Sequence, residues 1–245
     1  MKLIAHRGAC GYFPENTMAS FRAAMDMGAV SVEFDVQQTK DMKLAVVHDT
    51  DLKRLAGAKA RIGELRYDDL ARYDVGAWFS PRFQGARVPR LEEVLGLLLP
   101  RRIELQVEVK QAETPYEGIE KRVLAALCAP PAGKVHCIVS SADHPTLQRL
   151  RALDKGLRLG YLASHTPREA ALTEARALAC ESVHISGRVF SQGWLKGAHA
   201  KGMKLLVYTI NERREAEKLR SLGVDGIFSD YPDLLQPAPS VGGTE

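Results

Sequence analysis

Short runs of β-branched and aliphatic residues alternate along this chain with stretches whose apolar residues recur every three or four positions. Extended runs are predicted at 2–5, 31–37, 44–47, 103–109, 135–139, 157–162, 182–185, 204–209 and 226–228. Helical patterns fall at 17–27, 117–127, 146–153, 168–178, 192–200 and 212–222. In the first of these, Met18, Phe21, Ala24 and Met25 share one face. Strand followed by helix, repeated, implies parallel strands joined by crossover helices. About eight such units can be counted, which favours the α/β class and a (β/α)8 TIM barrel over an open doubly wound sheet.

One segment breaks the rhythm. Residues 49–89 contain no clean strand–helix unit but carry Gly57, Gly63, Gly76, Pro81 and Gly85 among the aromatics Tyr67, Tyr73, Trp78 and Phe79. A structureless loop of that length is uncommon in a compact domain. The segment therefore reads as a small insertion after the second strand region, packed by its own aromatics and placed to cover a site. The expected organisation is one barrel domain over 1–236 and a disordered tail over 237–245, rich in Pro, Ser and Gly.

Composition narrows the function classes. The 245 residues match one barrel of roughly 250 residues. At 45% hydrophobic and 26% charged the chain is not disordered. The net charge is only +4, from 34 Lys and Arg against 30 Asp and Glu. These basic residues are dispersed, without the basic patch and interleaved aromatics of a nucleic-acid binder. The longest apolar stretch, 94–99, is far short of the roughly 20 residues that span a bilayer. The first residues meet charge at Lys2 and Arg7, with no apolar signal-peptide core between. Cysteines 10, 128, 137 and 180 form no CxxC pair. Reduced cysteines and a cytoplasmic protein, with no stable membrane association, are expected.

The parity of two strands carries more. In Ser31-Val32-Glu33-Phe34-Asp35-Val36-Gln37 and in Ile103-Glu104-Leu105-Gln106-Val107-Glu108-Val109-Lys110, polar and apolar residues strictly alternate. Side chains at i and i+2 share a face, so Glu33 and Asp35 project together, as do Glu108 and Lys110. An antiparallel sheet with one face in water gives the same alternation. In a barrel the apolar set must meet the helices, and the carboxylates then point inward, where uncompensated charge is costly. A divalent cation with oxygen ligands, Mg2+ or Ca2+, would stabilise them.

Two of the seven histidines close strands: His6, in Ile4-Ala5-His6-Arg7-Gly8, and His48, in Ala45-Val46-Val47-His48-Asp49. A lone strand-end histidine is commonly a hydrogen-bonded structural residue. Two of them, gathered on the C-terminal face of a barrel, make an acid–base pair near pH 7. Arg7 adds a planar fork for phosphate. His136, His144, His165, His184 and His199 lack such company and read as structural or surface residues. Gly8-Ala9-Cys10-Gly11 is too short for a nucleotide fingerprint, and no Gly-x-Ser-x-Gly elbow occurs. Cys10 reads as loop packing rather than a nucleophile.

These residues, with Pro14-Glu15-Asn16-Thr17, Val88-Pro89-Arg90-Leu91-Glu92-Glu93-Val94-Leu95 and Gly223-Val224-Asp225-Gly226-Ile227-Phe228-Ser229-Asp230-Tyr231-Pro232, resemble the signature series of the glycerophosphodiester phosphodiesterases of the bacterial cytoplasmic type. The resemblance runs from about residue 3 to 235. It implies a (β/α)8 barrel with a small insertion after the strand ending in the second histidine. By position it implies that Glu33, Asp35 and Glu108 hold one divalent cation, Mg2+ or Ca2+. His6 and His48 would be the catalytic pair, Arg7 and Lys110 would contact the phosphate, and Glu15 and Tyr208 would also serve the substrate. Two runs depart from the family. The usual Trp-Thr-Val-Asn reads Tyr208-Thr209-Ile210-Asn211, and the usual Ser-Phe pair after the middle strand is replaced within Ser140-Ser141-Ala142, leaving a less aromatic pocket.

The implied reaction is metal-dependent hydrolysis of small glycerophosphodiesters such as glycerophosphocholine or glycerophosphoethanolamine. It would proceed through a cyclic phosphate to sn-glycerol 3-phosphate and an alcohol. A lysophospholipase D-like activity on lysophospholipids would use the same residues and differ in pocket shape. A non-catalytic binding module would be expected to lose one of the acids or histidines, and none is missing.

Overall fold

The strands close into a ring. The computed structural model describes residues 1–129 and 135–236. In chain order its regular elements are β1 (Lys2–Ala5), α1 (Met18–Asp26), β2 (Ser31–Gln38), β3 (Leu44–Val46), α2 (Lys53–Ala56), α3 (Tyr67–Leu70), α4 (Leu91–Leu98), β4 (Glu104–Val109), α5 (Ile119–Cys128), β5 (Cys137–Ser141), α6 (His144–Leu153), β6 (Leu159–Leu162), α7 (Arg168–Ala177), β7 (Ser182–Ser186), α8 (Gln192–Ala200), β8 (Lys204–Tyr208), α9 (Arg213–Ser221) and β9 (Gly226–Ser229). Pairing runs β1-β9-β8-β7-β6-β5-β4-β2, and β2 returns to β1 through Ala5 and Val32. The eight paired strands are parallel, so the architecture is a (β/α)8 TIM barrel. The expected tail at 237–245 lies outside the described residues.

Two elements differ from the sequence pattern. The run at 44–47 is not a barrel strand: β3 pairs antiparallel with β2, Val36 opposite Val46 and Gln38 opposite Leu44. Its linker is too short for the crossover a parallel strand needs. Helix α4 was not among the predicted helices, because the apolar run through 94–99 blurs its period. It buries Leu91, Val94, Leu95 and Leu98, one face of a helix.

The barrel's outward positions carry the core. Val32, Phe34 and Val36 on β2 and Leu105, Val107 and Val109 on β4 are wholly buried in one cluster with Phe21, Leu91, Leu98, Ile119 and Val123 of the helices. Full burial of each such side chain contributes about 1.5–3 kcal/mol. The other face of the same strands is therefore turned into the barrel, and depth decides what it does. At the N-terminal end Lys2 and Arg158 pair with Glu104, and Arg158 and Lys204 pair with Glu181. Above them Ile4, Leu206 and Phe228 form an apolar layer. Glu33, Asp35 and Glu108 lie on the inward face nearer the C-terminal ends.

The insertion has its own aliphatic core of Leu52, Leu55, Ile62, Leu70, Val75 and Val88. The aromatics expected to pack the insertion lie around this core rather than within it. Tyr67 and Tyr73 only flank that core, Trp78 is exposed, and Trp78, Phe79 and Phe83 form an edge-to-face ladder that docks on Phe13 of the β1–α1 loop. Aliphatic residues fill a small core with fewer geometric demands than rings of fixed shape.

Candidate active site

At the C-terminal rim a cleft of about 340 Å3 is bounded by His6, Arg7, Glu33, His48, Glu108 and Lys110. Ser140, Ala142, Leu162, Ser164, His184, Tyr208, Thr209 and Phe228 complete its lining. This is the end at which TIM barrels place their chemistry.

The turn after β1 sets the first residues. Arg7 and Gly8 both have positive φ, 53° and 81°, which reverses the chain within two residues. A Cβ on Gly8 would lie 2.5 Å from Ser20 Oγ, so only glycine fits. The Arg7 amide then donates to Glu33 Oε2 at 2.9 Å, while its carbonyl accepts from Ser20 Oγ and the Asn16 amide. The Pro14–Thr17 element is built around the same turn. Asn16 Nδ2 donates to Asp35 Oδ2 at 2.8 Å, and Thr17 caps α1 in a reciprocal box with Ser20.

The three acids converge. Oxygens of Glu33, Asp35 and Glu108 lie within 4.8 Å of one another, because Asp35 and Glu108 are register partners on adjacent strands. Burial opposes the ionised form of Asp35, but Lys110, Arg7 and His48 outweigh it and hold the carboxyl well below its usual range. Burial and the charge of Asp35 push the pKa of Glu33 up. Lys110 Nζ lies 2.6 Å from Glu108 Oε1 and 3.1 Å from Asp35 Oδ1. Even so, buried Asp35 Oδ1 accepts no hydrogen bond. An oxygen-only set of three carboxylates, with one buried oxygen that accepts no hydrogen bond, fits a hard divalent cation such as Mg2+ or Ca2+.

Each histidine is anchored through Nδ1 by a carboxylate. His6 meets Asp230 Oδ1 at 2.6 Å, and Asp230 is held in turn by Asn211 Nδ2 at 2.6 Å and by the Cys10 thiol at 2.9 Å. His48 meets Asp49 Oδ1 at 2.7 Å, and Asp49 Oδ2 accepts from Arg54 Nε at 2.7 Å. With Nδ1 engaged, Nε2 is the nitrogen each ring can offer the cleft. Burial lowers the pKa of His6, but the hydrogen bond to Asp230 and the charge of Glu33 outweigh it and the net shift is upward. Burial raises the pKa of Asp230, and its bond to His6 overcomes this, leaving it near 2. Burial and Asp230 push the Cys10 thiol far up, so it is no thiolate nucleophile at neutral pH.

The other site residues take distinct places. Glu15 does not line the cleft: its carboxylate accepts from Arg7 Nη1 at 2.8 Å and from two nitrogens of Arg54. Tyr208 and Ala142 do line the cleft, and the Tyr208 hydroxyl is 3.4 Å from Ser164 Oγ. His184 lines the cleft as a buried ring bonded to Ser182 Oγ at 2.8 Å, and burial lowers its pKa to about 3. Asp49, Arg54, Asn211 and Asp230 had no role in the sequence reading. The available signal was an acid directly following a strand end, as in His48-Asp49 and Ser229-Asp230.

Residues 6–234 match the model of the glycerophosphoryl diester phosphodiesterase family. A glycerophosphodiester phosphodiesterase of Bacillus altitudinis is 32% identical, covering 95% of each chain. One from Caldanaerobacter subterraneus is 31% identical, again over 95% of both. Among solved structures, an Oleispira antarctica phosphodiesterase in complex with the product sn-glycerol-3-phosphate superposes with a TM-score of 0.86 at 31% identity, covering 96% of this chain and 95% of that one.

Proposed function

Because the chain belongs to the glycerophosphoryl diester phosphodiesterase family, we propose that it hydrolyses small glycerophosphodiesters to sn-glycerol 3-phosphate and an alcohol, using one divalent cation and the His6–His48 pair. The observation that carries this reading is the pairing of two carboxylate-anchored imidazoles with three convergent carboxylates around one cleft.

Glu33, Asp35 and Glu108 would hold the cation, Mg2+ or Ca2+. When bound, it supplies positive charge against a phosphoryl oxygen as negative charge builds there. Arg7 and Lys110 provide fixed donors for the phosphate, Arg7 as a planar fork kept in place by Glu15 and Asp35. One imidazole takes the proton of the glycerol 2-hydroxyl through Nε2 as that oxygen attacks phosphorus. The other gives a proton to the alcohol oxygen as its bond to phosphorus breaks, leaving a cyclic phosphate. Water opens the ring with the roles reversed, and the 2-oxygen regains its proton. Each transfer contributes about 10²–10⁴-fold. Tyr208, Leu162 and Ala142 line the same cleft, on strands or loops other than those carrying the histidines, and would face the leaving group.

No helix among the described residues is long and apolar enough to cross a membrane. The four cysteines are free, as thiols are in a reducing compartment, and the setting is read as cytoplasmic on that ground. Hydrolysis of glycerophosphocholine, glycerophosphoethanolamine and lysophosphatidylcholine, each with and without EDTA, tests the reading. Release of sn-glycerol 3-phosphate from the two small diesters, stopped by EDTA and restored by Mg2+ or Ca2+, is expected. Preferential turnover of lysophosphatidylcholine would replace it with the lysophospholipid activity, and turnover in EDTA would remove the cation.

A further inference from the structure

One side chain of the insertion touches both halves of the site. Arg54 sits on the short helix α2 and donates three hydrogen bonds. Its Nε reaches Asp49 Oδ2 at 2.7 Å, while Nη1 and Nη2 take the two oxygens of Glu15 at 2.6 and 2.8 Å. Asp49 is the carboxylate that anchors His48, and Glu15 is the one that anchors Arg7. The ring of Trp78 lies 5.4 Å from the guanidinium carbon and limits its movement.

We propose that Arg54 is a positioning residue of the phosphodiesterase reaction, one guanidinium that fixes both the imidazole of His48 and the phosphate fork of Arg7. The inference rests on the roles given to those two residues above. Arg54 is 40% exposed, but its partners Glu15 and Asp49 are only 10% and 26% exposed, and a bidentate pair within a network can also support the fold. The geometric role of Arg54 is therefore read from the His48 ring and from kcat, not from stability. Without it, Asp49 loses the donor that holds its second oxygen and can turn away from His48. Glu15 and Asp49 are then left as like charges with one cation fewer between them. The geometry requires a planar fork: two parallel bonds to one carboxylate and a third to another cannot be made from the point charge of a lysine.

Arg54→Lys and Arg54→Ala test this by kinetics and by NMR of the histidine Nδ1 protons. Both variants are expected to lose about 10- to 100-fold in kcat/KM, with the loss in kcat at least as large as the rise in KM. Added guanidinium is expected to restore part of the activity of Arg54→Ala. In Arg54→Lys, the Nδ1 proton signal of His48 should shift or broaden away while that of His6, held by Asp230, stays in place. Near-native kcat in Arg54→Lys overturns the proposal. So does a slow enzyme whose His48 signal is unmoved and which guanidinium does not restore. Should Arg54→Ala fail to fold, Arg54→Lys carries the same test. Failure of the underlying reading shows separately, as a His48→Ala protein that still turns over.

Discussion

Asp230 and Asp49 make an imidazole at a strand end into a directed group. In each pair the carboxylate occupies Nδ1 and aims the ring, which fixes the tautomer as well as the position. At His6 the carboxylate also opposes burial, and the sign of its effect is testable. Replacing Asp230 with Asn keeps the shape but removes the charge, so burial should dominate and the His6 pKa should fall below its present raised value. An NMR titration of the His6 ring checks this, and an unchanged midpoint would contradict it. The same variant should lose about 10²- to 10⁴-fold in kcat, since an imidazole without its orienting carboxylate spends its time in the wrong tautomer. Legibility at this scale was uneven. Glu33 and Asp35 in one run, and Glu108 and Lys110 in another, announce themselves by parity. Asp230 does not, because it lies 224 residues from His6 and reaches it only when β9 pairs with β1.

Elements decide where those residues sit. The β1–α1 turn depends on Gly8, whose positive φ and contact with Ser20 exclude a side chain. Gly8→Ala should destabilise the protein by about 1–3 kcal/mol and lower activity, since Arg7 and the Asn16–Asp35 contact hang on that turn. Urea unfolding beside a rate measurement checks both, and full stability with full activity would contradict the account of the turn. The strand–helix rhythm was readable because outward positions such as Val32, Phe34 and Val36 must be apolar to meet helices. Two features were not. A short antiparallel strand such as β3 has the same local pattern as a parallel one, and only its linker length separates them. The alternation in β4 serves two purposes along one face: Glu104 closes the barrel bottom through Lys2 and Arg158, whereas Glu108 reaches the cleft. Parity reveals the face; depth comes from the register of neighbouring strands.

Over the whole molecule the net charge of +4 says little, because the charges that matter are local. Although burial and Asp35 favour the protonated form of Glu33 while no cation is bound, the three carboxylates when ionised carry one negative charge more than Arg7 and Lys110 offset. A divalent cation turns that into one excess positive charge, opposite to a phosphodiester. Hence metal and substrate should bind with positive linkage, each tightening the other. Equilibrium binding of Ca2+ with and without glycerol 3-phosphate checks this, and equal affinities would contradict it.

Stability also carries a signature of the buried cleft. His184 has a folded pKa near 3 because burial disfavours its charged form, against about 6.5 unfolded. Between those values the unfolded chain binds the extra proton, so this residue lowers stability as pH falls from about 6.5 toward 3. Its slope is at most about 1.4 kcal/mol per pH unit. His6 acts in the opposite sense, adding stability below 6.5 that is lost as pH rises through its raised folded value. Urea unfolding from pH 4 to 7 should show a shallower loss toward acid in His184→Gln than in the native chain. Parallel curves would show that His184 is not the buried neutral ring described.

In the proposed mechanism, two anchored histidines and a cation held by three carboxylates carry out one hydrolysis in one cleft. Its most direct test is the rate of sn-glycerol 3-phosphate release from glycerophosphocholine by the native chain, His6→Ala and His48→Ala. All three would be measured at saturating Mg2+ or Ca2+, with circular dichroism confirming the fold of each. Each single variant is expected to fold and to lose at least about 10²-fold in kcat. Either variant folding normally and turning over at near-native rate would contradict it.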